Sequence, residues 1–212
     1  MTPHPNRWEA AQLALKLLGV DPIGLGGVWL TARSGPVRDI WLDGVQTLPH
    51  PVRKLHPTVS DDALYGGLDI AATLDVGRAI RSIGVLDKPA TLVLTMAERC
   101  EPNLAARLSQ ALDDRTGHVI IALDERAGED EGLPTALAER LAYHIDLSEL
   151  GYHDASALAP GAGKPGRRPK VPSAVTRELG ELCDRLGIAG LRPMLFALRC
   201  ACAHARLENR RI

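Results

Sequence analysis

The sequence predicts an α/β protein whose parallel sheet is covered by helices on both faces, and three observations carry that prediction. Short runs of almost unbroken apolar character, Val28-Trp29-Leu30-Thr31, Thr91 to Met96 and His118 to Leu123, read as strands buried on both sides. Between them lie stretches in which apolar residues recur at helical spacing, the alternation expected of a parallel sheet. At 212 residues the chain is long enough for one such unit and a small helical one beside it.

Trp8, Ala11, Leu15 and Leu18 share one helical face, and Gly19 is placed to end that first helix. Asp21-Pro22 leads into Gly24-Leu25-Gly26-Gly27 and the first strand, Val28–Thr31; Ala32 to Pro36 form a turn and Val37 to about Val45 a helix. Val52–Leu55 is a second strand. Ser60-Asp61-Asp62 is suited to capping the turn before Leu64, and Ile70 to Ile80 has helical spacing. The third strand is Thr91–Met96, followed by a helix from Glu98 to Leu112, a fourth strand at His118–Leu123, a helix from Leu133 to Tyr143 and a last strand at His144–Asp146. The first unit therefore covers residues 1–148. Residues 149–172, with APGAGKPGRRPKVP at their end, are rich in Pro, Gly and positive charge and form a linker. Residues 173–212 form a helical unit, Ser173–Leu186 and Leu191–Leu207, with Ser173 as N-cap and Gly187 as C-cap.

Aromatic residues make up only 3% of the chain, so the core is expected to be aliphatic. A formal net charge of −1 supplies no overall field to draw the molecule onto nucleic acid or anionic lipid. Cys100, Cys183, Cys200 and Cys202 lack paired metal-site spacing and read as reduced, buried thiols of a cytoplasmic protein. No apolar run nears the roughly 20 residues that span a bilayer, and no signal peptide opens the chain, so a soluble protein is expected. Its end at Arg210-Arg211-Ile212, directly after a helical pattern, suggests a piece of something longer.

A phosphate-binding loop needs a strand, a turn whose backbone N–H groups cradle phosphate, a Lys, and a Ser or Thr for magnesium. After the first strand, Ala32-Arg33-Ser34-Gly35-Pro36-Val37-Arg38-Asp39 has the frame without the chemistry. Arg38 stands at the Lys position, Asp39 at the hydroxyl position, and Pro36 removes a donor. A plain helix-opening turn is the other reading of these residues. The third strand should end in paired acids that hold magnesium and orient water, yet it ends in Thr95-Met96. Asp124 is the first polar residue after HVIIAL, where a phosphate-sensing group would sit, or else a loop-start aspartate.

Together with DPIGLGG, ARSGPVRDIWL, SDDALYGGLDIAATLDVGR, IIALDE, LAERLAYHIDL and LGIAGLRPMLFALRCACAHARL, these features resemble the AAA+ module of the magnesium chelatase D subunit, from Asp21 to Leu207. The resemblance implies an AAA+ P-loop-type sheet of five parallel strands with a small helical lid. It also implies degenerate nucleotide motifs: Ser34, Gly35 and Arg38 lie on the phosphate loop and Asp124 on sensor 1. Arg140 falls on the family's arginine finger and Arg192 on its sensor-2 arginine. Asp113 to Gly117 leave little room for the family's β-hairpin, and the D subunit's acidic linker and integrin-like domain would lie beyond Ile212. The implied function is that of a non-hydrolysing subunit in a hexameric ring with the active ATPase subunit. It would support magnesium insertion into protoporphyrin IX in (bacterio)chlorophyll synthesis. ATP and Mg²⁺ would sit at the partner interface, and a large porphyrin-binding subunit would be a further partner.

From the residues alone, Arg140 reads first as a solvated helix arginine paired with Glu139 or Glu131, and Arg192 as a packing or capping residue placed just before Pro193 at a helix start; their functional roles rest on the resemblance. His50 and His56 lack convergent acids and read as loop residues, and Glu129-Asp130-Glu131 as a solvated acidic loop. A different class of function, nucleic-acid binding, rests on GKPGRRPK and the helix-turn-helix spacing of the last two helices; the near-neutral charge argues against it.

Overall fold

A computed structural model describes residues 6–125, 132–156, 166–167 and 169–210. Its helices are α1 (Arg7–Val20), α2 (Pro22–Leu25), α3 (Pro36–Val45), α4 (Asp61–Tyr65), α5 (Ile70–Val76), α6 (Pro102–Asp113), α7 (Thr135–Ala138), α8 (Ser173–Arg185) and α9 (Arg192–Leu207). The strands are β1 (Gly27–Thr31), β2 (Val52–Leu55), β3 (Thr91–Leu94), β4 (Val119–Asp124) and β5 (Tyr143–Asp146). They form one sheet in the order β2-β3-β4-β1-β5, every neighbouring pair parallel.

The two faces of the sheet explain the unbroken apolar strands. Along β4, Val119, Ile121 and Leu123 face a core shared with α1 and α3, while Ile120 and Ala122 face a second core under α6 and α7. Every residue of β4 is buried, as it must be in a central parallel strand. The core is aliphatic except at two places: Trp8 and Trp41 are buried in the first cluster, and the Trp41 indole donates to the carbonyl of Ala11 at 3.1 Å, tying α3 to α1.

Several boundaries differ from the sequence expectation for local reasons. Helix α1 runs through Gly19 to Val20, because Asp21 accepts from the N–H of Gly24 and opens α2 only there. Helix α5 stops at Val76, where Gly77 adopts the left-handed conformation, short of the expected Ile80. Pro102 delays α6, so Ala97–Arg99 form only a 3-10 turn. β3 ends at Leu94, two residues early. The expected helix over Leu133 to Tyr143 shrinks to α7, since Ala142 already donates to Leu25 and Tyr143 joins β5. Pro172, not Ser173, is the residue before α8, and Arg192 is the first residue of α9 with Pro193 second.

Helix α9 packs on α1 and α2 and places Ala203 in the first core cluster. Arg199 and Arg206 of α9 donate to the carbonyls of Gly24 and Val20, the latter at 3.1 Å. Arg206 also holds Gly166, and Trp8 donates to Ser156, so described parts of the predicted linker are pinned at both ends. Residues 157–165 and 168, and with them half of GKPGRRPK, lie outside the described residues, as does Glu129-Asp130-Glu131. No helix among the described residues is long and apolar enough to cross a membrane. The four cysteines are free, but only Cys100 and Cys202 are buried; Cys183 and Cys200 are partly exposed, a correction to the expectation that all four are interior.

Candidate functional site

The predicted site residues separate to opposite ends of the sheet. At the carboxyl ends of the strands, Thr31 passes into Ala32, whose N–H donates to the carbonyl of Asp124 at 3.0 Å. The loop turns into α3 at Gly35, with Pro36 as an early helical residue that has no N–H to give. Arg38 then reaches back across the loop. Its Nη2 donates to Ser34 Oγ at 2.8 Å, and its Nη1 pairs with Glu125, directly after β4. Its Nε is buried and has no hydrogen-bond partner among the described residues. Asp39 is exposed in the first turn of α3. Arg38 is thus already engaged by a carboxylate and a hydroxyl, the strong charge-assisted kind of contact.

Asp124 is fully buried, and its Oδ2 accepts from the indole N–H of Trp29 at 2.8 Å. The Trp29 ring in turn meets His144 edge-on, with centroids 4.9 Å apart. At the end of β3, Thr95 donates its N–H and hydroxyl to the carbonyl of Leu55, at 3.0 and 3.1 Å, and Met96 takes a left-handed conformation at φ +49°. The acid at this end is Glu98, which sequence reasoning did not single out. Its side chain is only 6% exposed, and its Oε2 accepts from the N–H of Glu125 at 3.1 Å. Glu98 sits two residues beyond the expected acid pair, which is why strand-end logic missed it.

The arginines lie at the amino ends of the strands. Arg140 follows α7, and Arg192 opens α9; both bond Asp113, the last residue of α6. Arg140 donates to Asp113 Oδ2 through Nε at 2.9 Å and Nη2 at 2.6 Å, and to the carbonyl of Ala136 through Nη1 at 2.6 Å. Arg192 donates to Asp113 Oδ1 at 3.3 Å. The hydrogen bond from Arg140, with a smaller one from Arg192, holds the Asp113 carboxyl below its ordinary range. The partner of Arg140 is therefore Asp113, a residue that earlier drew notice only for the shortness of its loop, rather than Glu139.

The backbone behind Arg140 is set by a glycine. Gly26 has φ +73°, and a Cβ there would stand 2.3 Å from the carbonyl oxygen of Arg140. Only glycine allows β1 and the turn before β5 to approach this closely. The three charged residues border a cavity of about 1150 Å³, whose apolar wall includes Ile23, Leu195 and Phe196. Cys200 also borders the cavity; Tyr143 Oη lies 3.1 Å from its Sγ, and burial pushes both groups' pKa values up. Elsewhere, His56 Nδ1 lies 2.8 Å from Thr58 Oγ1 in its own loop. The described residues contain no group of three or more His, Cys, Asp or Glu able to hold a metal ion.

The strand order β2-β3-β4-β1-β5, all parallel, with helices on both faces and a C-terminal helical pair, defines an α/β protein with a five-stranded parallel sheet. A solved structure from Cytophaga hutchinsonii, described as an ATPase candidate, matches 96% of this chain and 76% of its own length with a TM-score of 0.67; at 13% identity the likeness is one of fold alone. The magnesium-chelatase 60 kDa subunit of Cereibacter sphaeroides is 46% identical over 208 residues, and that of Rhodobacter capsulatus 43% identical over 210. Each alignment takes in 95% of this chain but 37% of the relative, so the chain spans little more than a third of the curated proteins it matches. No protein-family model matches it.

Proposed function

We propose that this chain is a non-hydrolysing AAA+ subunit of a magnesium chelatase. It assembles in a hexameric ring with an active ATPase subunit in the cytoplasm, and supports ATP-dependent insertion of magnesium into protoporphyrin IX for (bacterio)chlorophyll synthesis. The observation that carries this reading is the placement of the cations. Arg38 is bound down across its own loop by Ser34 and Glu125, whereas Arg140 and Arg192 gather at the opposite end of the sheet, beside an open cavity. Such a chain offers arginines outward while its own phosphate loop has no lysine, no magnesium-binding hydroxyl and one backbone donor fewer.

The residues at the loop do not fit a magnesium–nucleotide complex poised for hydrolysis. Thr95 and Met96 stand where the acids would be, and Asp39 would repel phosphate. ATP and Mg²⁺ in this reading belong to the active neighbour, with Arg140 as the finger in trans and Arg192 beside it. The names of the two relatives, magnesium-chelatase subunits, support magnesium insertion as the reaction, and a large porphyrin-binding subunit is the further partner in this reading. The test mixes the protein with an active partner ATPase and measures ATP turnover with and without Arg140→Ala. Since arginine fingers contribute on the order of 10³ to 10⁵ in rate, the variant should sharply reduce turnover at the interfaces it completes. An unchanged rate, or brisk turnover by this chain alone, overturns the reading.

A further inference from the structure

We infer that Asp113 is a positioning residue, whose carboxylate joins Arg140 and Arg192 into one two-guanidinium unit that receives the phosphate chain of a nucleotide on an adjacent subunit. The inference rests on the reading of those arginines as acting in trans. Three elements far apart in sequence meet at this carboxylate: the end of α6, the turn after α7 and the start of α9. Arg140 has three of its five N–H groups placed, two on Asp113 and one on Ala136, so its long side chain is already held in one rotamer. Its backbone is pressed from behind against Gly26.

What is left over suits an oxyanion. One N–H on each terminal nitrogen of Arg140 is not used by these contacts, and Arg192 uses a single N–H on Asp113, so at least two guanidinium edges stay available for phosphate oxygens. Two guanidinium charges and one carboxylate leave the unit with a net charge of +1, which still attracts an anion. The cluster is also reachable, with side chains 20% exposed for Arg140, 41% for Arg192 and 43% for Asp113. A finger that is placed before its target arrives avoids the loss that a misplacement of about 1 Å brings, which can reach roughly 10²-fold in rate.

The experiment uses the full-length protein in complex with the active ATPase subunit. It compares Asp113→Asn, Asp113→Glu, Arg140→Ala and the double variant Asp113→Asn/Arg140→Ala at saturating and limiting Mg-ATP. The amide has the shape of the carboxylate but would turn a donor toward guanidinium donors. Asp113→Asn is expected to lower kcat by about tenfold or more with KM little changed. Asp113→Glu should restore part of that loss, and the double variant should fall no further than Arg140→Ala. Subunit affinity, followed by sedimentation, should stay within about twofold of the parent.

Asp113→Asn turnover at or above the parent level would show that the carboxylate restrains the arginines rather than placing them, and would overturn the inference. Losses that combine independently, or a loss explained by failed assembly, would do the same. If Arg140→Ala itself has no effect, the trans reading falls and this inference with it. If Arg140→Ala is impaired and Asp113→Asn is not, only this inference falls.

Discussion

The indole N–H of Trp29 donates to Oδ2 of Asp124 across the central strand pair at 2.8 Å, so the carboxylate at the end of β4 is anchored to the middle of β1. Asp124 has no exposure to solvent, and a buried acceptor that loses a donor bears a desolvation cost. Trp29→Phe is therefore expected to destabilise the fold by about 1–3 kcal/mol. Urea unfolding should show a lower midpoint at unchanged slope. A midpoint equal to the parent's would mean that the indole contributes nothing to holding Asp124.

Gly26→Ala tests the close approach of β1 to the turn carrying Arg140. The added methyl group meets the Arg140 carbonyl at 2.3 Å, and φ +73° is itself unfavourable for alanine. A loss of about 2 kcal/mol or more is expected, read as a lower melting temperature. The same methyl group at Gly35, where nothing lies within 4 Å of a Cβ, meets no neighbour and carries only the backbone strain of φ +151°, so Gly35→Ala should be the milder of the two.

Replacing Thr95 by Asp and Met96 by Glu returns an acid pair to the end of β3. The isolated protein should still release no phosphate from ATP at rates near the about 1 s⁻¹ of working phosphoryl-transfer enzymes. Arg38 remains bound to Ser34 and Glu125, Pro36 still lacks its N–H, and position 96 keeps a left-handed backbone. Appreciable turnover in a phosphate-release assay would show that the loop alone is competent.

Asp113 also makes a pH prediction. Its folded-state pKa lies below the ordinary carboxylate value, chiefly through the Arg140 hydrogen bond. A carboxyl of this kind adds stability above its unfolded pKa and loses that contribution as pH falls through the folded one. The stability difference between the parent and Asp113→Asn should thus be present at neutral pH and shrink as the pH drops below the ordinary carboxylate range. Denaturant titrations at several pH values would measure it; a difference constant across that range would mean the carboxyl's charge is not what the arginines recognise.

The sheet could be read from the sequence because burial on both faces leaves an unmistakable mark: β4 is apolar from Val119 to Leu123, and β2 lies where its four residues were placed. Helix ends were harder, since they depend on single residues such as Gly77 and Pro102, or on a tertiary bond such as Ala142 to Leu25 that local pattern does not contain. The loop at Ser34, Gly35 and Arg38 was legible as a frame, and its partner Glu125 was not, because that contact spans 87 positions. Asp113 was equally hidden: it is 27 residues from Arg140 and 79 from Arg192, and nothing in its own neighbourhood announces either. Glu98 escaped because β3 ends two residues sooner than its apolar run.

β1 is buried between two strands, with the Arg38 loop at one end and Gly26, against Arg140, at the other. Its five residues set those ends apart by roughly 17 Å at about 3.3 Å per residue, beyond the separation of about 7–10 Å at which substitutions begin to act independently. The two ends are accordingly separable parts: the loop can be rebuilt or emptied by mutation while the arginines keep their geometry, and the arginines can be altered without disturbing the loop. A designer could use the module as a spacer with one adjustable terminus at a time.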